Sequence, residues 1–171
     1  MQKPYTYRPA RLEDLPAIVA IYNSTVASRM VTADTEPVSV ASRHAWFAEH
    51  SPEKRPLWVV ESEAGGTVSI LGWLSYSNFY GRPAYAGTAE LSIYLHQDAR
   101  GKGLGSYLLS QAIRFAPEIG VHTLLGFVFG HNLASLKLFD GFGFARWALL
   151  PGVATLDGVE RDLIILGKRV G

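Results

Sequence analysis

The sequence predicts a single α/β domain of the α+β type, and three observations carry that expectation. Strand-like and helix-like segments follow one another in the order βααβββαβαββ across residues 1–171, with no repeat, low-complexity tract or linker. Around residue 90 the chain alternates cleanly, with Ala89, Leu91, Ile93 and Leu95 on one face and Thr88, Glu90, Ser92 and Tyr94 on the other. That strand runs straight into three alternating glycines and an apolar helix.

Taken in order, Tyr5–Arg8 alternates briefly and suits a first strand. Leu12, Leu15, Ile18, Val19 and Tyr22 recur at helical spacing, with Asp14 and Pro16 suited to the first turn. Asp34–Pro37 reads as loop, and Ser39 can cap a second helix to about His50 whose buried side is Val40, Trp46 and Phe47. Leu57–Glu61 and Val68–Tyr76 form a hairpin about Gly65-Gly66. After the alternating strand, Leu104, Leu108, Leu109, Ala112, Ile113 and Phe115 make a helix. A strand follows at Val121–Val128, a short helix at Leu133–Phe139, and two weaker strands near Phe144–Leu149 and Arg161–Leu166.

Bulk properties narrow the function. The chain has 171 residues, of which 48% are apolar, enough for one substantial core. It has no cysteine, which excludes a disulfide frame, a thiol nucleophile and a thiolate metal site. A net charge of +1 with scattered basic residues gives nucleic-acid binding no support. No apolar run suits a membrane span, and Met1–Tyr5 holds no signal-peptide-type segment, so a cytoplasmic protein without membrane contact is expected. His44, His50, His96, His122 and His131 show no metal-ligand spacing, so no metal is expected.

The glycines carry the chemistry. Arg100-Gly101-Lys102-Gly103-Leu104-Gly105-Ser106 places unobstructed backbone N–H groups at the positive end of a helix, a geometry that binds phosphate or pyrophosphate. A dinucleotide G-x-G-x-x-G fails, because its third glycine would fall at Ser106 or Leu108. A triphosphate loop fails because Lys102 precedes Gly103 rather than Ser or Thr. What remains is R-x-x-G-x-G. Downstream stand His131-Asn132-Leu133-Ala134-Ser135 and, after the helix, Gly141-Phe142. Asn132 can cap its own helix, or turn its amide toward an extended, amide-bearing ligand.

These two motifs resemble the pyrophosphate loop and the N-x-x-S-x-x-L helix of the GNAT (GCN5-related) N-acetyltransferases. The resemblance implies a central, mixed, mostly antiparallel sheet flanked by helices, with a V-shaped splay between its two central strands. It implies acetyl-CoA as cosubstrate, with Leu95 offering main-chain groups to the pantetheine arm, Arg100 to Ser106 cradling the pyrophosphate, and Asn132 and Ser135 completing the site. Lys102 either adds charge to the phosphates or is a solvated loop lysine.

Ile21-Tyr22-Asn23, Asp34-Thr35-Glu36-Pro37 and Ala45-Trp46-Phe47, with Arg82-Pro83-Ala84-Tyr85 and Thr88–Tyr94, are similar to the phosphinothricin and methionine sulfoximine acetyltransferase branch. That likeness implies direct acetyl transfer to the primary amine of a small amino acid or analogue, and a homodimer with acceptor sites near the subunit contact. An α-amino group of pKa ~8 is mostly protonated near neutrality, so a base is needed. Glu90 is the candidate. Arg82 is the candidate clamp for an acceptor carboxylate, with Tyr85 beside it.

Three positions depart from the branch. Phe139 stands where it commonly has His or Tyr, so either Tyr80, Tyr85 or His131 supplies the thiolate's proton, or no acid is needed because a thiolate is a tolerable leaving group. Ala33 replaces an aromatic residue, and Pro151–Gly158 lacks the usual basic and aromatic residues. Two alternatives stay open: acetylation of peptide or protein N-termini, and an acyl-CoA-binding module without turnover. Trp73, Tyr76, Phe79 and Tyr80 are expected where the acceptor pocket opens.

Overall fold

The computed structural model describes residues 5–171; the N-terminal expectation at residues 1–4 lies outside them. Seven strands form one sheet in the order β1-β2-β3-β4-β5-β7-β6. They are β1 (Tyr5–Pro9), β2 (Leu57–Ala64), β3 (Thr67–Asn78), β4 (Thr88–Leu95), β5 (Thr123–Phe129), β6 (Ala145–Leu156) and β7 (Val159–Arg169). Every neighbouring pair is antiparallel except β4 and β5. Four helices complete the fold: α1 (Leu15–Val26), α2 (His44–Ala48), α3 (Leu104–Phe115) and α4 (Leu133–Gly141). The element order and the mixed, mostly antiparallel sheet are those the sequence predicts.

Strand alternation builds two cores from one sheet. Trp58, Val60, Leu74, Tyr76, Ala89 and Leu91 turn to the face covered by α3 and α4, where they meet Leu108, Leu109, Leu136 and Phe139. Leu57, Val59 and Trp73 turn to the opposite face and meet Ile18 and Ile21 of α1, with Trp46 and Phe47 of α2 at the margin. Each fully buried leucine or valine contributes roughly 1.5–3 kcal/mol. Two buried polar groups on β3 find partners across these cores: the Trp73 indole donates to the Ile18 carbonyl at 3.1 Å and the Tyr76 hydroxyl to the Ala112 carbonyl at 2.6 Å.

Those partners also correct an expectation. Trp73 and Tyr76 cannot share a pocket, because residues an odd number apart on a strand face opposite sides. Tyr76 is fully buried under α3, away from the α1 face that holds Trp73.

Two elements differ in length from the prediction. Ala41–Arg43 winds as a tight 3-10 turn, and α2 proper spans only His44–Ala48. Val40, not Ser39, stands at the N-cap of this turn, and Ser39, one residue earlier, accepts from the Ser42 N–H at 3.1 Å. The two C-terminal strands are longer than expected, forming a hairpin whose β6 alternates exposed and half-covered residues and whose pairing shifts register near Arg146 and near Leu150. Sparse burial on β6 leaves little hydrophobic signal in the sequence.

Candidate active site

The site begins where two strands part. β4 and β5 pair over three positions only, Thr88 with Thr123, Ala89 with Leu124 and Glu90 with Leu125. Beyond Glu90, β4 stays with β3 as far as Leu95, and β5 stays with β7 as far as Phe129. The inner backbone edges of Leu91–Leu95 and Gly126–Phe129 therefore diverge and leave peptide groups without a strand partner. This is the predicted splay. A cleft of about 570 Å³ fills it, lined by those strands, the glycine loop and the first turns of α4.

The glycine loop forms the cleft's outer wall. Gly101 (φ 73°) and Gly103 (φ 78°) take left-handed backbone conformations, Gly103 at the N-cap of α3. A Cβ at either would meet no protein atom within 4 Å, and both glycines line the cleft. Buried Leu104 anchors the helix start, whose first N–H groups have no intrahelical acceptor. The Arg100 guanidinium donates to the Leu95 carbonyl at 3.3 Å, tying the loop to the strand it follows.

Leu95, Arg100, Gly101, Gly103, Leu104, Gly105, Ser106, Asn132 and Ser135 all line this one cleft. Lys102 is exposed and is not among its lining residues, which favours a solvated lysine. Asn132 caps its helix from a position on the cleft wall. Its carbonyl oxygen accepts from the Ser135 N–H at 3.2 Å as a helix cap, while the buried residue lines the cleft. Phe139 closes the cleft floor, packed edge-on against Phe144 and so close to Gly126 that a Cβ there would lie 2.9 Å from its ring.

Glu90 stands at the apex, the last β4 residue still paired to β5. It is half-buried, and desolvation raises its carboxyl pKa above the ordinary value. It shares a strand face with Ser92 and Tyr94 and lies opposite Ser77 in the sheet register. Those three residues border a second, smaller cavity of about 110 Å³ on the α1 side, walled by Tyr22, Trp46 and Trp73 and floored by Ser75. Tyr94 stacks on Trp73 at 4.7 Å and packs against Tyr22 at 5.0 Å.

One cation enters that cavity, Arg43. Its guanidinium lies 5.0 Å from the centre of the Tyr22 ring and pairs with Asp34 at 3.0 Å. Asp34 and Thr32 both bond the Tyr22 hydroxyl. Sequence reasoning missed Arg43 as a site residue, since its partners come together only when the segment after α1 folds back. A faint signal was available: Arg43 lies three residues before Trp46, a helical neighbour already assigned to the buried side.

Arg82 and Tyr85 lie elsewhere. Both are exposed and line a third cavity, about 560 Å³, at the β3–β4 connection with Lys54, Arg55, Asn78 and Phe79. Tyr80 is exposed and clusters with Phe79 and Tyr85. Asn78, which lines this cavity, pairs with Ala89, the residue before Glu90, whereas the aromatic pocket meets β4 at Ser92 and Tyr94. His131 points away from the apex, with Nε2 bonded to the Arg29 carbonyl at 2.8 Å. Among the described residues no cluster of side chains suits a metal ion.

The acetyltransferase (GNAT) domain model matches residues 5–145. This chain is a member of the GNAT acetyltransferase family. It is 56% identical over 165 residues to the Bacillus subtilis protein YwnH, covering 96% of this chain and 99% of that one. It is 35% identical over 159 residues to an L-methionine sulfoximine/L-methionine sulfone acetyltransferase of Pseudomonas aeruginosa, covering 93% of this chain and 91% of the relative. Among solved structures, a GNAT superfamily phosphinothricin acetyltransferase of Sinorhizobium meliloti in complex with AcCoA superposes with a TM-score of 0.90 at 28% identity, over 99% of this chain and 90% of that one. The GNAT chain is therefore an acetyltransferase.

Proposed function

We propose that this GNAT enzyme transfers an acetyl group from acetyl-CoA to the primary amine of a small acceptor of the amino-acid type. The observation that carries the proposal is the position of Glu90, a desolvated carboxyl at the apex of the splay that lines neither cavity itself but whose chain neighbour Leu91 lines the cleft and whose register partner Ser77 lines the aromatic pocket.

The cleft suits the cosubstrate. The N–H groups of Gly101 to Ser106 and the start of α3 would hold the pyrophosphate, the free edges of Leu91–Leu95 and Gly126–Phe129 would pair with the pantetheine amides, and Asn132 would donate from its amide. When bound, acetyl-CoA supplies an activated acyl group and a thiolate leaving group. Glu90 takes the proton that the amine must lose, directly or through one water. A carboxyl raised by desolvation is a better proton acceptor than an exposed one. Phe139 offers no proton to the departing thiolate, and His131 bonds the Arg29 carbonyl, whereas Tyr94, which lines both the cleft and the aromatic pocket, carries a hydroxyl there.

Acceptor size follows from the pocket. Trp46, Trp73, Tyr22 and Tyr94 leave about 110 Å³, room for a short side chain with polar atoms that can meet Ser75, Ser77 and Ser92. The relative that acetylates methionine sulfoximine and methionine sulfone supports an acceptor of that class. Arg82, by resemblance, and Arg43, by placement, are the two candidates for holding a carboxylate. The acceptor site is further proposed to lie near a homodimer contact. Trp147, Leu149 and Val153, exposed along the edge strand β6, support such a contact, and sedimentation of the purified protein tests it.

A thiol-release assay with acetyl-CoA tests the function against free amino acids, methionine sulfoximine, methionine sulfone, phosphinothricin, polyamines and short peptides. Release confined to acceptors with a free α-amino group and carboxylate is the expected result. Release with peptides but not amino acids would replace the proposal with N-terminal acetylation.

A further inference from the structure

The segment that follows α1 serves both cavities at once. Ser28, Met30 and Val31 line the cofactor cleft, whereas Thr32 and Asp34 bond the Tyr22 hydroxyl on the acceptor side. It is the wall between the two halves of the site, held at its far end by Asn23, whose side-chain amide bonds both backbone groups of Val38 at 2.8 Å, and at its near end by Arg29. Arg29 has φ 56°, a left-handed conformation that costs any non-glycine residue energy. Its backbone N–H donates to the Val26 carbonyl at 3.2 Å, and four further hydrogen bonds hold it there. Its Nε donates to Asp157 Oδ2 at 3.0 Å, and its Nη1 donates to the carbonyls of Thr35 at 2.8 Å and Val26 at 3.2 Å. Its own carbonyl accepts from His131 Nε2 at 2.8 Å.

The His131 bond fixes a tautomer. A carbonyl only accepts, so the ring hydrogen sits on Nε2 and Nδ1 carries the lone pair. That agrees with Nδ1 being buried without a partner, in a ring stacked on Phe129 at 5.5 Å. His131 directly precedes Asn132, the capping residue of α4 that lines the cofactor cleft. Arg29 therefore joins four places: the end of α1, its own segment further on at Thr35, the entry to α4, and the β6–β7 turn at Asp157.

We infer that Arg29 is a positioning residue that sets the wall between the cofactor cleft and the acceptor pocket and ties it to Asn132. The β6–β7 turn, which touches neither cavity's lining, thereby acts on both through Asp157. The acceptor half of this inference rests on the function proposed above; the cofactor half does not.

The test compares Arg29→Ala, Arg29→Lys and Asp157→Ala with the unaltered protein. Acetyl-CoA affinity is read by calorimetry, thermal stability by melting, and kcat and KM with whichever acceptor the thiol-release assay finds. Arg29→Ala should weaken acetyl-CoA binding and raise acceptor KM about tenfold each, as expected for loss of positioning between coupled sites. Arg29→Lys keeps one charged contact but cannot fork to Asp157 and Thr35 together, so it should recover only part of that loss.

Asp157→Ala removes one of these ties and should weaken acetyl-CoA binding about threefold with little change in melting temperature, because its side chain is 67% exposed. Unchanged acetyl-CoA affinity in Asp157→Ala and in Arg29→Ala, with only the melting temperature lowered, would overturn the inference and leave Arg29 a structural pin. If Arg29→Ala does not fold, Asp157→Ala alone decides between these results. Calorimetry needs no acceptor, so failure to find an acetylated amine would sink the proposed function without deciding this point.

Discussion

The two halves of the site are made of different material. The cleft is framed by backbone, two strand edges that have lost their pairing and a loop with two left-handed glycines, with side chains such as Ile93, Phe127 and Leu138 between them. The acceptor side is chiefly side chains, with Tyr22, Arg43, Trp46, Trp73 and Tyr94 converging from helix, turn and strand. A backbone surface recognises what all its ligands share, phosphate and amide, and a single side-chain change alters it little unless the main chain itself moves. A side-chain surface can change its preference with one substitution and keep the same chemistry. Variants in the first half should therefore alter cofactor affinity, and variants in the second should alter which acceptor is used. Glu90, at the boundary, should alter neither affinity much and turnover most.

Glu90→Gln is the sharpest test of that division. Glutamine preserves shape and keeps two hydrogen-bonding atoms but cannot accept the amine's proton. Turnover should fall about a hundredfold or more, the range for removal of a general base, with acetyl-CoA affinity within a factor of about two by calorimetry. Equal turnover would remove Glu90 from the reaction. Gly103→Val comes next. A β-branched residue at φ 78° costs roughly 1–2 kcal/mol in backbone strain and adds a side chain at a position that lines the cleft. Cofactor affinity should drop at least about tenfold by calorimetry, with kcat at saturating acetyl-CoA much less affected. A variant that bound acetyl-CoA normally would show that the loop is only a turn.

Arg82→Ala and Arg43→Ala then split the acceptor side itself. The arginine that holds the acceptor carboxylate should raise acceptor KM at least about tenfold when removed, the worth of a charged hydrogen bond, while leaving acetyl-CoA KM in place. The two arginines line different cavities, so one variant should carry most of the effect. If neither does, the acceptor has no carboxylate clamp and the amino-acid class loses its support.

The same contrast explains what the sequence made legible. The cleft is encoded in contiguous stretches: an alternating strand, a glycine loop, and an Asn–Ser helix start, each with local backbone consequences that spacing reveals. Gly101, Gly103 and Asn132 take the roles their positions imply because turns and caps are set by neighbours in sequence. Arg43 was illegible for the opposite reason. Its contacts with Asp34 and Tyr22 depend on how residues 27–38 fold back, and that path is fixed by contacts as remote as Asp157 and His131, and by the Asn23 amide bonded to Val38 at 2.8 Å. Arg82 was a candidate carboxylate clamp by resemblance, with Tyr85 beside it, and both line a cavity that shares no lining residue with the aromatic pocket. Tyr76 was misplaced by proximity in sequence where strand parity decides.

A smaller effect ties the position of Glu90 to stability. Desolvation raises its carboxyl pKa in the folded protein above that of the unfolded chain, so the folded state holds the proton to higher pH. Between those two values the folded state binds more protons than the unfolded one, and stability must fall as pH rises through that window. Above it the full cost of the buried carboxylate persists. Glu90→Gln has no such cost. Its melting temperature should match the parent protein's at a pH below the ordinary carboxylate range and exceed it near neutrality, the gap opening as pH rises. In the parent enzyme kcat/KM should climb over the upper part of the same window, as the base loses its proton. A variant that melts lower than the parent near neutral pH would mean that the carboxylate is well solvated or well bonded where it sits. It would then be an ordinary strand residue rather than a proton acceptor held ready at the apex.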